Sequence, residues 1–325
     1  MNKHSPIMLG GIFFSLAAGL MWGLVFVGPL MLPEYPAALH TFGRYLAFGV
    51  IALPLACMDR AELRRLSRAD WLAALRLAAI GNVLYYLFLA SAIQRAGGAL
   101  PSMVIGTLPV VIAVSANVLN HQRDGRFPWH QLLPALVLIL LGIACVHRVE
   151  WTALLQNPKA STTRYITGAM LAVGALVCWT WYPLKNADWL RAHPDRNPRV
   201  WATAQGLATL PLALLGYALF WLWLSLTDDA LPMPWGPRPL AFVGLMMAIG
   251  LFASWLGTLC WNAASQRLPT ALAGQLIVFE SLAALAYTFM LRRQWPEPLT
   301  LAGVALLVMG VIAGLRVKPV KLGGA

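Results

Sequence analysis

The chain has 325 residues, of which 59% are hydrophobic and 11% are Asp, Glu, Lys or Arg, and its mean hydropathy is +0.68. A soluble domain carries roughly 25% charged residues, so the composition excludes a soluble enzyme, a disordered chain and a nucleic-acid-binding protein; what remains is an integral membrane protein. The formal net charge of +12 sits in short connectors between apolar runs, where Lys and Arg report membrane orientation rather than phosphate partners.

In chain order, ten apolar runs appear, over residues 9–29, 38–58, 71–94, 99–119, 129–148, 165–187, 200–226, 239–265, 270–291 and 298–316. A membrane-crossing helix needs about 20 such residues and a barrel strand only about 9–11, so an all-α protein with ten transmembrane helices is predicted. The first run follows Lys3 but exceeds the roughly 7–15 apolar residues of a cleavable leader, which reads as an anchored helix. With the N-terminus inside, sixteen Lys and Arg fall in cytoplasmic connectors, and Arg60-Ala-Glu-Leu-Arg-Arg-Leu-Ser-Arg68 is the strongest marker. Seven fall outside: Arg95, Arg148, Lys159, Arg164, Arg238, Arg292 and Arg293. This bias predicts both termini in the cytoplasm, with the Arg292-Arg293 pair pulling the other way. Trp71, Trp129, Trp151, Trp201, Trp235 and Trp295 lie at run ends, where indole rings favour the membrane interface. Pro29, Pro54, Pro109, Pro183 and Pro211 lie within runs and are candidate hinges. Cys57, Cys145, Cys178 and Cys260 have no CxxC spacing, which predicts buried free thiols and no metal site.

The chain also repeats itself. Leu53-Pro54-Leu55 recurs as Leu210-Pro211-Leu212 at an offset of 157, Ile80-Gly81 as Ile249-Gly250 at 169, and Gln94-Arg95 as Gln266-Arg267 at 172. Phe127-Pro128 answers Trp295-Pro296 at 168, and Gly142 answers Gly310 at the same offset. These matches divide the chain into five-helix halves, 1–150 and 160–325. Because five is odd, the second half must enter the membrane from the opposite face, giving inverted repeats of the kind found in secondary transporters, with a site near the midplane.

Further residues carry a resemblance: Gly19-Leu-Met-Trp22-Gly23 in the first run, Gly43-Arg44-Tyr45 in the second, and Ala99-Leu-Pro-Ser102 followed by Leu108-Pro109-Val110 in the fourth. With the two halves and the Gly-rich last run of each, they make the chain resemble the drug/metabolite transporter superfamily over nearly its whole length, in particular its ten-helix EamA-type exporters. The resemblance implies export of small metabolites or drugs across a bacterial inner membrane by alternating access, without ATP. Where that family commonly carries a proline in the ninth helix, at the position matching Pro109, this chain has Glu280.

Ionisable groups within a bilayer are costly and therefore functional candidates. Glu280 lies midway along the ninth run and Arg44 about two turns into the second. Glu280 is a candidate coupling residue, for which a proton or a substrate cation would compete. The alternatives are a pair with Arg44 or hydrogen bonds to helix ends. Arg44 is a candidate carboxylate clamp through its planar fork, against structural pairing or snorkelling to the interface. Helical spacing puts Asn82, Tyr85, Tyr86 and Leu89 on one face, and Leu251, Trp255, Thr258 and Asn262 on another. The offset of 169 pairs Tyr86 with Trp255 across the repeat axis. Trp22 and Trp179 would complete a cavity lining, and Gln205 and Gln275 are polar candidates; the bland reading of each is interhelical packing. His4, His40, His121, His130, His147 and His193 form no relay. No HExxH, GxSxG or paired carboxylates suggest an enzyme, and no GxxxxGK[ST] suggests ATP use.

The leading expectation is therefore a secondary active exporter of small metabolites, amino acids or related compounds, needing no cofactor and no nucleic acid and contacting membrane lipids. Efflux of lipophilic cations is the runner-up, and a lipid flippase or intramembrane enzyme is the alternative from another class. Gly142, Ala144, Gly303, Gly310 and Gly314 allow close packing within one chain or across a homodimer.

Overall fold

The computed structural model describes residues 4–96, 99–119, 127–155, 162–227, 231–293, 295–317 and 320. Every regular element among them is helical, as a low-dielectric surrounding requires of a backbone that must satisfy its own hydrogen bonds. We label the segments α1 (His4–Met31), α2 (Ala37–Met58), α3 (Arg68–Ala96), α4a (Ala99–Gly106), α4b (Leu108–Leu119), α5 (Trp129–Leu155), α6 (Thr162–Ala192), α7 (Pro198–Leu226), α8 (Pro239–Arg267), α9a (Thr270–Leu276), α9b (Val278–Arg292) and α10 (Pro298–Arg316). Eight stretches are long and apolar enough to cross a membrane, and Leu108–Leu119 and Trp129–Cys145 are shorter apolar helices. The basic residues Lys3, Arg123, Arg126, Lys159, Lys318 and Lys321 lie outside the described residues, as do His121 and the side chains of His4, His147 and Trp151.

Local chemistry sets several helix starts. Ser67 caps α3 reciprocally: its hydroxyl accepts the Asp70 amide at 3.2 Å and the Asp70 carboxylate accepts the Ser67 amide at 2.8 Å, which satisfies two otherwise orphaned donors. Asn197 accepts the Arg199 amide at 2.9 Å at the start of α7, with Pro198 in the first helical turn, where its missing N–H costs nothing.

The expected proline hinges are not where the helices depart from regularity. Pro29, Pro54, Pro183 and Pro211 lie inside continuous helices. The departures are π-turns at Leu77–Leu84 in α3 and Gly250–Leu256 in α8, and single-residue interruptions at Thr107 and Ile277. Pro109 alone adjoins one of these, two residues beyond Thr107. A π-turn inserts one residue and rotates the following face.

Packing follows small residues. A Cβ built on Gly49 would lie 2.6 Å from Leu210, and one on Gly206 would lie 2.7 Å from Ala52, so α2 and α7 cross through two glycines that are themselves 157 apart. Between α5 and α10, a Cβ built on Gly142 would lie 2.7 Å from Leu307 and one on Gly310 2.8 Å from Ile139. These two contacts exchange under the offset of 168, because 142 maps to 310 and 139 to 307. Gly19 and Gly23, spaced as a GxxxG pair, face α9b: a Cβ built on them would lie 3.0 Å from the Glu280 amide and 2.7 Å from Ala283; such pairs let helix backbones approach where lipid provides no hydrophobic drive. The helix pairings α3 with α6 and α8 with α1 likewise answer each other. The glycines Gly142, Gly310 and Gly314 are thus engaged within the chain, whereas Ala144 is exposed.

The connectors gather at two ends. At one, Arg199 pairs with Asp59, Arg196 donates to the Arg65 carbonyl at 3.0 Å, and Gln266 donates to the Arg196 carbonyl at 2.9 Å. At the other, the Tyr35 hydroxyl donates to the Trp235 carbonyl at 2.9 Å and Arg238 pairs with Glu34 at 3.4 Å.

Candidate functional site

The two intramembrane charges lie in the core. Arg44 is 6% exposed and Glu280 4%. Arg44 projects from α2, and its Nε donates to the Ser254 hydroxyl at 2.9 Å. Its guanidinium carbon lies 4.9 Å from the ring centroids of both Tyr45 and Tyr86, a geometry in which the ring quadrupoles attract the cation. Nη1 is buried and has no hydrogen-bond partner. Arg44 therefore neither snorkels nor forms an ion pair among the described residues.

Glu280 stands in the first turn of α9b, just past the interruption at Ile277, and its amide donates to the Ile277 carbonyl at 2.9 Å. Its Oε2 has no hydrogen-bond partner. The guanidinium of Arg44 and the indole of Trp179 are the groups that act on it electrostatically, and Tyr85 feels the charges of both Glu280 and Arg44. Arg44 and Glu280 thus lie near each other in the core without a direct pair among the described residues.

Aromatic rings wall this place. Trp179 stacks between Tyr85 at 4.6 Å and Tyr182 at 5.1 Å, and Trp22 meets Trp179 edge-on at 5.1 Å and Trp261 at 5.3 Å. Trp22 and Trp179 are again 157 apart. The Trp179 and Trp261 indole nitrogens are buried without partners. The core thus brings together a guanidinium, a carboxyl group and a ring-lined surround, drawn from α1, α2, α3, α6, α8 and α9b.

Of the eleven residues expected to form the site, Trp22, Arg44, Tyr85, Tyr86, Trp179 and Glu280 gather here. Trp255 adjoins it through its neighbour Ser254, but its indole donates to the Thr203 hydroxyl at 3.3 Å. It makes no ring pair with Tyr86, whose own hydroxyl donates to the Val25 carbonyl at 3.3 Å; Arg44 stands beside Tyr86 and bonds Ser254. Asn82 donates to Thr209 at 3.3 Å, linking α3 to α7.

Gln205 and Asn262 belong to a separate network centred on Asn186. The Trp201 indole and the Gln205 amide donate to the Asn186 carbonyl oxygen at 2.9 and 3.1 Å, and Asn186 donates to Asn262 at 2.9 Å. The Tyr182 hydroxyl donates to Gln205 at 2.8 Å, which joins the network to the aromatic wall. Gln275 is fully buried against α10, where a Cβ on Gly314 would overlap its amide.

Two expectations need correction. Trp201 is not an interfacial anchor: it is 1% exposed and stacks on Trp189 at 3.4 Å, because a run-end position can still lie on the inward face of its helix. The thiols are not uniformly buried. Cys178 is, but Cys57 is exposed and Cys145 and Cys260 are half-buried, their helix faces pointing outward. Ser254, Tyr45, Tyr182, Trp261 and Asn186 were missed. Tyr45 was adjacent to a chosen residue, but the π-turn in α8 hides Ser254 from a regular helical wheel.

Comparison with known proteins accords with this arrangement. Residues 9–148 match the model of the EamA-like transporter family. The chain is 54% identical over 314 residues to the inner membrane protein YtfF of Escherichia coli (strain K12), covering 97% of each chain. A crystal structure 18% identical in sequence superposes with a TM-score of 0.69 over 93% of this chain and 95% of that one, a likeness of fold. The chain is a multi-pass inner membrane protein and a membrane transporter, and it belongs to the EamA-like transporter family of the drug/metabolite transporter superfamily.

Proposed function

We propose that the protein is a secondary active exporter that moves small zwitterionic metabolites, amino acids or close relatives, by alternating access between two inverted five-helix repeats, 1–150 and 160–325. The reciprocal contacts of Gly142 with Leu307 and Gly310 with Ile139, and the matched π-turns of α3 and α8, support a two-fold relation. Ten crossings, with five in each half, turn that relation into an axis in the membrane plane. The Lys and Arg bias supports cytoplasmic termini.

One observation carries the substrate class: a buried guanidinium nitrogen and a buried carboxylate oxygen, each without a hydrogen-bond partner, come from α2 of the first half and α9b of the second. A substrate carboxylate satisfies Arg44, through the charge-assisted geometry arginine favours, and its ammonium satisfies Glu280. The rings of Trp22, Tyr85 and Trp179 hold the remainder. Because substrate bridges the two halves, it favours states in which both are closed around it, and Glu280 exchanges ammonium for a proton as the site empties.

Efflux of lipophilic cations is the second reading, favoured by Glu280 among aromatic rings and opposed by Arg44 in the same space. Transport in reconstituted vesicles separates them. Amino acid counterflow that Arg44→Gln abolishes is expected; cation transport that Arg44→Gln enhances would replace the first reading with the second. Proton-dependent transport left intact by Glu280→Gln would end the coupling role. Lipid movement without small-molecule transport would favour a flippase.

A further inference from the structure

Arg44 has five N–H donors, and the geometry fixes the use of one of them. Nε is taken by the Ser254 hydroxyl at 2.9 Å, while Nη1 is left without a partner. The tyrosine rings, each 4.9 Å from the guanidinium carbon and nearly perpendicular with centroids 6.3 Å apart, border the fork on adjacent sides and leave it free to tilt. A hydrogen bond at Nε limits that freedom, because it holds the edge shared by Nε and Nη2 against Ser254 and turns Nη1, on the opposite edge, away from it.

Ser254 reaches this position through backbone features of its own helix. It lies within the π-turn Gly250–Leu256, and the turn begins at a glycine whose Cβ would lie 2.7 Å from Ala47 of α2. The close approach of α8 to α2 and the widened turn together bring a short hydroxyl side chain to a guanidinium on the other half of the chain. Ser254 is 3% exposed, so water does not compete for its oxygen. The neighbouring Trp255 is tied to Thr203 of α7 at 3.3 Å, which holds the turn from its other side.

We propose that Ser254 is the positioning residue of the site: it orients the Arg44 fork so that the terminal nitrogens meet a substrate carboxylate, and it therefore sets how strongly the protein distinguishes carboxylates from their neutral analogues. This rests on the carboxylate reading of Arg44 given above. Ser254 itself touches no substrate. Being on the second half while Arg44 is on the first, it also makes the aim of the fork depend on how the halves are placed, so that the carboxylate is gripped in one arrangement and loosened in another.

The test uses the purified full chain, with L-phenylalanine and L-phenylalaninamide as probes and binding measured by calorimetry or thermal shift. The wild type should prefer the carboxylate, and Arg44→Gln should abolish the preference. Ser254→Ala should reduce it by about tenfold, the worth of one hydrogen bond to a charged group, while leaving amide binding unchanged, and Ser254→Thr should restore it. A merely structural role would weaken both probes alike and leave their ratio intact. If Ser254→Ala keeps the wild-type ratio while Arg44→Gln loses it, the positioning role is refuted and the carboxylate reading survives. If the wild type itself shows no preference, the carboxylate reading fails and this proposal with it. Should Ser254→Ala not fold, Ser254→Cys, of similar volume and a weak acceptor, must show the same reduced ratio.

Discussion

The contact between α5 and α10 can be broken at either of two related places, and the cost can be worked from the distances. An alanine at position 142 would put its Cβ 2.7 Å from the Leu307 side chain and 2.8 Å from both the Gly303 carbonyl and the Leu307 amide. An alanine at 310 would meet Ile139 at 2.8 Å and the Ala135 carbonyl at 2.9 Å. Carbon contacts are optimal at about 3.5–4.0 Å, so each substitution forces the helices apart by roughly 1 Å. Backbone atoms cannot rotate aside as a side-chain tip would. Overpacking of this kind costs about 1–3 kcal/mol, more than the gain of up to about 1 kcal/mol from replacing glycine in a helix. Positions 139 and 142 are about 4.5 Å apart along α5, so a separation that relieves one overlap relieves much of the other. The double variant Gly142→Ala/Gly310→Ala should therefore lose less than the sum of the single losses, by 0.5 kcal/mol or more, roughly the onset of coupling between contacting sites. Gly244→Ala is the control: nothing lies within 4 Å of its Cβ, and it should be neutral or stabilising. Denaturant titration in mixed micelles, followed by tryptophan fluorescence, measures all four. If Gly142→Ala and Gly310→Ala behave like Gly244→Ala, or if the double variant is strictly additive, the reciprocal packing that underlies the two-fold argument is wrong.

Other outcomes follow from the same geometry. Asn186→Leu strands the Trp201 indole, the Gln205 amide and an oxygen of Asn262, all buried. It should cost roughly 1–3 kcal/mol for each stranded group, the penalty of an unmade buried hydrogen bond, while the ratio of carboxylate to amide binding stays unchanged; a shifted ratio would place the network in the substrate site. Accessibility should rank the thiols, with Cys57 modified readily by a small maleimide and Cys178 protected until unfolding, as mass spectrometry of the labelled chain will report; equal labelling would contradict the burial of α6. Tyr35→Phe removes a hydroxyl that donates to the Trp235 carbonyl and accepts from the Arg238 amide at 2.8 Å. It should loosen the connector between α7 and α8 and raise hydrogen exchange there, and unchanged exchange would show that this link does not hold the end together.

Much of the candidate cluster was legible from chemistry alone. A charged side chain in an apolar run is costly, so Arg44 and Glu280 stood out as candidates before any fold was known, and the structure gathers them with several of the indoles and phenols chosen at helical spacing. What failed was the finer assignment by periodicity. Trp255 was paired with Tyr86 on a regular wheel, but the widened turn in α8 puts Ser254 onto Arg44 and leaves Trp255 bonded to Thr203. Gln205, Asn262 and Gln275 were chosen because they are polar within apolar runs. That argument cannot tell a residue awaiting substrate from one satisfied by a neighbouring helix, as Gln205 and Asn262 are through Asn186.

The sequence by itself determined that this is a helical membrane protein, where its apolar runs begin and end, and that Arg44 and Glu280 lie deep within them, because the bilayer judges each 20-residue run by composition and needs no distant contact to do so. Only the tertiary structure decided which inward-facing polar groups meet one another, that the glycines of α5 and α10 serve contacts within the chain, and that Trp201 is core rather than interface. Those outcomes depend on close approach between separate helices, and on local changes of helical register that a hydrophobic pattern does not encode.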